Sequence, residues 1–486
     1  MPSRSSWKTF LGLLAISLLA LAVHGYHYGI EDEAIYLPAV KQRLNAALYP
    51  FDSAFFQAQS QLMLFDRLIA ALCRLTQLSV DWAFFLLYCL TTFLFVLALR
   101  RLGERFFPDE PSRWAAVLLP AALLTMPVAG SAVFIMDQHM HPRNLATVAL
   151  LFALAAVLDK RWVAAGVLVA AAAAIHPLVT LYGASLLCMF AWRRSVPLHF
   201  LAFAVFLTFA WFLLPPPPAG WWHAVEAYIF ISEWAWYEWL GILGPLACLL
   251  GCAQWASRSG LPLVVTNARR LVWYGLFYFS VTAAFTFIPR FAQLAPFQPM
   301  RALQLPYLFL FLFAAGLIWR TFPRQRILAC ILYAGLCGGM FYAQRQEFPA
   351  SPHVEWPGKT PVNPWLRAFD WIRRNTPAEA HFVLHPRYLE RPGEDFHGFR
   401  GLAERSALAD MIKDRSVATV RPALANEWWR QAEAQLNWSN FGISDLRALK
   451  QRFGVNWALL ERGVPPLPGD LVCPYQDGRL LVCRID

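Results

Sequence analysis

The chain has 486 residues, of which 58% are hydrophobic and 15% charged. Because soluble domains carry about 25% charged residues, this composition excludes an ordinary soluble protein and indicates a chain that contacts lipid over much of its surface. The net charge is +11, but the basic residues form short clusters between apolar runs, without base-stacking aromatics, so we expect the lipid bilayer and not nucleic acid as the partner.

About eleven apolar segments are predicted to cross the bilayer, since a span needs about 20 predominantly apolar residues. The first begins with basic residues and is followed by no small-residue cleavage site, so it is predicted to remain as an uncleaved helix. A break is predicted at His176-Pro177, because proline disfavours helix at the residue before it. The segments lie near residues 8–25, 82–100, 114–130, 144–158, 161–176, 177–192, 197–214, 238–255, 270–288, 302–320 and 326–343.

One further apolar stretch, residues 61–78, is predicted to lie on the membrane surface. It carries Asp66, Arg67 and Arg74, and charges at the centre of a span are costly. With this assignment the dense basic clusters all fall on the side of the N-terminus, as the positive-inside rule requires. These clusters are residues 100–113, 159–161, Arg193-Arg194, 258–270 and 320–326. The predicted topology therefore has a cytoplasmic N-terminus and an outward C-terminus.

The charge and hydropathy pattern predicts two domains. A transmembrane domain is expected at residues 1–343, with 26–81 as its first outward loop, and an outward soluble domain is expected at 344–486. In the tail, charged residues become frequent and apolar runs shorten, which predicts a small α/β fold. An amphipathic helix is predicted at Asn363–Asn375, with Asn363 as its cap and proline at its first position.

The end of the chain carries a strong hairpin signal, Asp477-Gly478, which predicts that Cys473 and Cys483 lie on paired strands. A disulfide between these cysteines would fit an oxidising compartment, in agreement with the outward tail. The alternative is two free thiols in a cytosolic domain, because pairing cannot be deduced from sequence alone. The other seven of the nine cysteines lie in or beside apolar segments and show no metal-binding spacing.

The first outward loop carries three adjacent acids, Glu31, Asp32 and Glu33, a few residues after the first span. A short amphipathic helix is predicted to follow them, and a helix dipole favours negative charge at the helix start. The acids are therefore either ordinary helix-start residues or a catalytic group, acting as a general base or metal ligand at the membrane boundary.

The run Asp32-Glu33-Ala34-Ile35-Tyr36 resembles a motif, Asp-Glu-Ala-x-Tyr, in the first outward loop of polytopic membrane glycosyltransferases with the C-type fold. These enzymes use polyprenyl- or dolichyl-phosphate sugars. The surface helix at 61–78 and the hairpin at His176-Pro177 are similar to features of that family, although the lysine often found in its hairpin turn is missing here. The segment 371–386 also resembles the start of the outer domain in uncharacterised bacterial members.

The resemblance implies an inverting transfer of a hexose or pentose from a polyprenyl-phosphate donor to a glycan, lipid or protein acceptor, with Asp32, Glu33 or Glu31 as the base. It also implies that basic residues of other outward loops bind the donor phosphate. The alternatives are that the arginines snorkel to lipid headgroups and that the histidines are polar residues exposed to water. No cofactor is certain, but a His-x-His pattern near Asp137 leaves a divalent metal open. The substrate-binding candidates are Arg290, Arg301, His139, His141, Arg143 and His176.

Two other functions are compatible with the same pattern. A lipid or solute transporter is less favoured, because the charges lie at the outer boundary of the spans and no internal repeat is evident. A non-catalytic scaffold or sensor, whose outer domain binds a partner, remains open. The predicted location is a bacterial inner (cytoplasmic) membrane, with the C-terminal domain in the periplasm or the extracellular space.

Overall fold

The computed structural model of the chain describes residues 4–192, 195–464 and 471–486, and these residues are mostly helical. In chain order the α-helices are α1 (Arg4–His24), α2 (Glu33–Leu44), α3 (Ala54–Ser60), α4 (Phe65–Thr76), α5 (Val80–Phe106), α6 (Glu110–Ala122), α7 (Pro142–Leu158), α8 (Trp162–Ile175), α9 (Pro177–Ala191), α10 (Ser195–Leu213), α11 (Trp221–Ala224), α12 (Trp236–Arg258), α13 (Pro262–Phe287), α14 (Gln304–Thr321), α15 (Arg326–Glu347), α16 (Pro364–Asn375), α17 (Phe399–Ala403), α18 (Lys413–Val420), α19 (Ala425–Glu433) and α20 (Ile443–Phe453). The strands are β1 (His381–Val383), β2 (Ser406–Ala407), β3 (Trp457–Glu461), β4 (Tyr475–Asp477) and β5 (Leu480–Arg484).

The chain divides into two compact units. The helical unit comprises Met1–Gly25, Leu86–Pro215 and Ala227–Gln344, and the mixed unit comprises Tyr26–Phe85, Pro216–Glu226 and Arg345–Asp486. The domain boundary expected at residue 344 lies beside the change of unit, but the first loop, which the sequence grouped with the spans, belongs with the tail. The reason is that the apolar faces of its short helices are buried against tail residues: Phe55 shares a core with Trp428, and Ile35 shares a core with Val417.

A helix overlaps each predicted span, and six helices of the described chain are long and apolar enough to cross a membrane, so the number of eleven spans stays a prediction. The architecture is that of a polytopic membrane protein. The helices α7, α8 and α9 are shorter, with 17, 14 and 15 residues. The predicted break at His176 is confirmed, because this residue ends α8 and its Nδ1 accepts a hydrogen bond from the Val179 amide of α9 at 3.3 Å.

Two predicted boundaries in the helical unit were wrong. The segment expected at 114–130 is helical only to Ala122. Proline disfavours helix in the residue before it, here Met126, and Pro127 pairs with Phe134 outside the helix. The segment expected at 270–288 begins earlier, where Pro262 occupies the first helical position. The predicted cytoplasmic cluster Arg193-Arg194 lies outside the described residues.

The mixed unit contains a five-stranded sheet in the order β2-β1-β3-β5-β4. Strand β1 runs parallel to β2 and β3, whereas β5 is antiparallel to β3 and β4. The α/β fold predicted for the tail is thus confirmed. As the spacing predicted, α16 buries Phe369 and Ile372, and it does so together with Trp365 rather than Leu366. The Asn363 side chain caps this helix by accepting from the Trp365 amide at 2.8 Å.

The cysteine pair lies at the edge of this sheet. Cys483 lies on β5, as expected. Cys473 was also expected on a paired strand, but it lies before β4, because only three residues of β4 pair with β5. The two sulfur atoms are joined in a disulfide.

The first loop of the mixed unit includes the helix expected on the membrane surface, which is α4 at Phe65–Thr76. Its acid Asp66 is only 2% exposed and is paired with Arg43 of α2. This ion pair explains how the helix tolerates a buried charge.

Candidate active site

The acids Glu31, Asp32 and Glu33, hereafter the acidic turn, lie in the mixed unit immediately before or at the start of α2. Backbone hydrogen bonds fasten this part of the first loop to the tail. The Glu31 amide donates to the Phe396 carbonyl at 3.0 Å, and the Gly398 amide donates to the Gly29 carbonyl at 2.7 Å. The acidic turn therefore has a fixed frame built from segments that are far apart in sequence.

Two glycines make this close approach possible. Gly29 has a φ of +79°, in the left-handed region that side chains disfavour. A Cβ on Gly398 would lie 2.5 Å from Cβ of Ala34 on α2. The backbone of the tail at Gly398 thus packs directly against Ala34 of the helix that follows the acidic turn, which limits movement of the turn.

The three acids have different environments. Glu33 is fully buried, and its Oε2 accepts a hydrogen bond from the Gly29 amide at 2.5 Å. This hydrogen bond closes the turn, and the burial of Glu33 keeps an acceptor molecule from reaching its carboxylate. The side chains of Glu31 and Asp32 are each 32% exposed. The structure therefore favours Glu31 or Asp32 over Glu33 as a group that meets a substrate.

A lysine from the tail, which the sequence analysis missed, bridges these two exposed acids. Nζ of Lys413 lies 2.7 Å from Oε2 of Glu31 and 2.9 Å from Oδ1 of Asp32. Burial alone would lower the pKa of Lys413, but Asp32 and Glu31 raise it above its usual value, so the amine is charged. No spacing signal could have found a partner 382 residues away along the chain.

The tail fixes the position of this lysine through the start of α18. Oδ1 of Asp410 accepts from the amides of Ile412 and Lys413 at 2.8 and 2.6 Å. The next residue, Asp414, is held by two hydrogen bonds from Arg400 at 2.8 and 2.9 Å. Arg400 also pairs with Asp52 of the first loop, and all three side chains are buried. Lys413 thus projects from an anchored helix start.

A second polar group lies in the helical unit, where the structure brings together four of the predicted substrate-binding residues. Rings of His139 and His141 have centroids 5.8 Å apart, and those of His141 and His176 are 6.0 Å apart. Nδ1 of His141 accepts from the Arg143 amide at 2.8 Å and so begins α7. His139 and His141 are both buried, so the alternative that they are ordinary surface residues was wrong.

Arg143 in this group is already neutralised. Its Nη2 donates to Oδ1 of Asp137 at 2.6 Å, and both side chains are at most 5% exposed. Burial raises the pKa of Asp137, but Arg143 outweighs burial, and the pKa lies below its usual value. This pair fixes the loop before α7, which makes Arg143 a poor partner for a phosphate.

The two remaining predicted arginines, Arg290 and Arg301, also lie in the helical unit, and they differ in how far their guanidinium groups are already bound. Arg290 donates to the carbonyls of Trp211 and Leu214, at 3.1 and 2.6 Å, and so caps the end of α10. Arg301 donates through Nε to the Ser131 carbonyl at 3.3 Å and makes no ion pair within the described part of the chain. Arg301 also lines a cavity of about 10 Å³, about the space of one water.

In the residues that the structure describes, no group of three or more His, Cys, Asp and Glu side chains could hold a metal ion. The divalent metal that the sequence leaves open is therefore assigned to neither the acidic turn nor the loop around His139.

The apolar helices are those of a polytopic membrane protein, which also carries a small sheet in its C-terminal part. A solved structure that shares this fold is the crystal structure of the oligosaccharyltransferase of Archaeoglobus fulgidus in its apo form, with a TM-score of 0.52 over 93% of this chain and 69% of that chain. The sequence identity is 12%, so the similarity is one of fold. No protein-family model matches the chain. No curated protein matches it either.

Proposed function

We propose that the chain is a membrane glycosyltransferase that transfers a sugar from a polyprenyl-phosphate donor to an acceptor on the outer face of a bacterial inner membrane. The acidic turn is the observation that carries this proposal. It offers two partly exposed carboxylates, Glu31 and Asp32, on a frame held by the tail. The fold that this chain shares with an oligosaccharyltransferase supports the same class of reaction.

The reaction needs one proton transfer and one bond exchange. A carboxylate of Glu31 or Asp32 takes the proton of the acceptor hydroxyl, and the acceptor oxygen attacks the anomeric carbon of the sugar. The bond between that carbon and the phosphate oxygen breaks, and polyprenyl phosphate leaves with the electron pair. Attack opposite to the leaving group inverts the configuration of the sugar.

Phosphate binding is proposed separately for Arg301 of the helical unit. Its guanidinium has one backbone partner and no carboxylate partner among the described residues, whereas Arg143 and Arg290 are committed to Asp137 and to the end of α10. Arginine presents a planar fork of donors that fits phosphate oxygens. Among the predicted basic residues, Arg301 is therefore the one best able to contact the donor.

The proposal is tested with purified protein in proteoliposomes, a panel of labelled polyprenyl-phosphate sugars and an extract of native envelope as acceptor. We expect label to move from one donor to an acceptor, with release of polyprenyl phosphate in equal amount. Movement of intact donor across the bilayer without cleavage would favour a transporter. A protein that binds no donor and cleaves none would favour the scaffold.

A further inference from the structure

Lys413 stands where helix electrostatics disfavour it. It is the first residue of α18, and a cation at a helix N-terminus opposes the helix dipole. Its side chain is also 13% exposed, so much of the hydration of the ammonium group is lost. Both effects make a charged lysine unfavourable at this position, and the carboxylates of Glu31 and Asp32 compensate for them.

The acidic turn has the complementary difficulty. It places three acids in succession, and Glu31 adopts a φ of 50°, which few residues other than glycine adopt without cost. Repulsion between the side chains of Glu31 and Asp32 would spread them apart, but one ammonium group contacts both at 2.9 Å or less. The turn and the lysine therefore stabilise each other.

We propose that Lys413 is a positioning residue for the transfer reaction, which holds the carboxylates of Glu31 and Asp32 in one fixed and charged arrangement. This inference rests on the proposed function. Lys413 acts through the two acids and takes no part in bond exchange itself. The tail is then a component of the active site, because the anchoring of α18 by Asp410 and by the pair Arg400–Asp414 determines where the lysine lies.

A first experiment tests the contact without any assay of transfer. The purified protein is treated with an amine-acylating reagent, and labelling is followed by mass spectrometry at Lys413 and at Lys41. Lys41 is a matched control, since it forms a comparable ion pair with Glu404 at 2.8 Å in the same unit. In a variant with Glu31→Gln and Asp32→Asn we expect faster labelling of Lys413 and unchanged labelling of Lys41. Equal labelling of Lys413 in parent and variant would overturn the proposal.

A second experiment tests the role of the contact. We expect Lys413→Met to lower kcat by about ten- to a hundredfold, as for a misplaced catalytic group, with little change in the donor KM. Lys413→Arg should recover most of the rate, and Lys41→Met should transfer at the parental rate. Because Lys413 acts through the acids, Lys413→Met combined with the slower of the two acid variants, Glu31→Gln or Asp32→Asn, should be no slower than that acid variant alone.

Parental kcat in Lys413→Met, or losses that add in the combined variant, would contradict the positioning role. A parent protein that transfers no sugar from any donor contradicts the proposed function instead. The acylation experiment then still decides whether the two acids hold Lys413.

Discussion

Nε2 of His397 lies 2.9 Å from Oε1 of Glu355, and both side chains are buried within the mixed unit, at 0% and 11% exposure. The same oxygen is 3.1 Å from Nδ1 of His27, and the other carboxylate oxygen accepts from the Tyr28 amide at 3.1 Å. The Glu355 amide in turn donates to the Tyr26 carbonyl at 2.8 Å. One carboxylate therefore ties the chain leading to the acidic turn to two segments of the tail.

This arrangement predicts a dependence of stability on pH. Burial opposes the charge of His397, but Glu355 raises its pKa above the ordinary 6.5, so its stabilising contribution is complete below 6.5 and is lost as pH rises through the raised value. Burial likewise opposes the charge of Glu355, but His397 and His27 lower its pKa below the ordinary 4.5, so its contribution is complete above 4.5. His397 and Glu355 therefore both contribute fully to stability between pH 4.5 and pH 6.5.

We expect His397→Gln to destabilise the protein by about 1.5–3 kcal/mol near pH 5.5, the usual worth of a hydrogen bond to a charged group, and by less near pH 9. The measurement is the free energy of unfolding, followed by tryptophan fluorescence in detergent. Glu394 and Asp395 also neighbour His397, so the effect is assigned by repeating the comparison in a Glu355→Gln background. A pH dependence that persists there would contradict the role of the pair.

The close contact at Gly398 predicts a steric effect. Gly398→Ala would place a methyl group 2.5 Å from Cβ of Ala34, so α2 or the tail must shift. We expect a loss of about 1–3 kcal/mol in the free energy of unfolding, as for an overpacked core. Gly339→Ala on α15 is the control, because its added methyl group meets nothing within 4 Å. Equal stability of the two variants would contradict the close contact of Gly398 with Ala34.

The disulfide predicts a measurable stabilisation of the sheet edge. It joins cysteines ten residues apart, and closing a loop of that size stabilises a fold by about 2–3 kcal/mol. We expect the double variant with Cys473→Ser and Cys483→Ser to lose that amount in the free energy of unfolding. Reductant should destabilise the parent by the same amount. Cys330→Ser, which removes an exposed free thiol, serves as control. An intact protein that carries nine free thiols after purification under air would contradict the pairing.

The different partners of the two arginines predict different defects. Arg301→Gln should raise the donor KM by about ten- to a hundredfold, because a charge-assisted hydrogen bond to phosphate is lost, while the fold is retained. Arg290→Gln should instead lower the unfolding temperature, since the carbonyls of Trp211 and Leu214 lose their donor. Donor titrations and thermal unfolding of both variants separate these effects. An unchanged donor KM in Arg301→Gln would refute phosphate binding by this residue.

Local features of the fold were predictable from sequence. The cap Asn363 and the proline after it mark the start of α16, and Asp477-Gly478 marks the turn between β4 and β5, because both signals act within a few residues. The break at His176 follows the same logic. The end of α6 was missed because apolar composition continues past Ala122 even though the chain leaves the helix before Pro127.

The candidate site was only partly predictable, because its decisive contacts join distant parts of the chain. The motif at Asp32 marks the acidic turn, but neither composition nor spacing indicates that Glu33 is buried against the Gly29 amide. The pairing of the turn with Lys413 depends on tertiary packing of amphipathic helices, whose partners a periodic pattern does not specify. The same holds for the pair of Arg400 with Asp52, which lie 348 residues apart.

The central claim is that a carboxylate of the acidic turn takes the acceptor proton. Its most direct test is the rate of sugar transfer in Glu31→Gln and Asp32→Asn, each compared with the parent after unfolding measurements have shown that the variant is folded. We predict that one of the two variants transfers about 10²–10⁴ times more slowly, the usual contribution of a general base. Transfer at the parental rate in both variants would contradict the account.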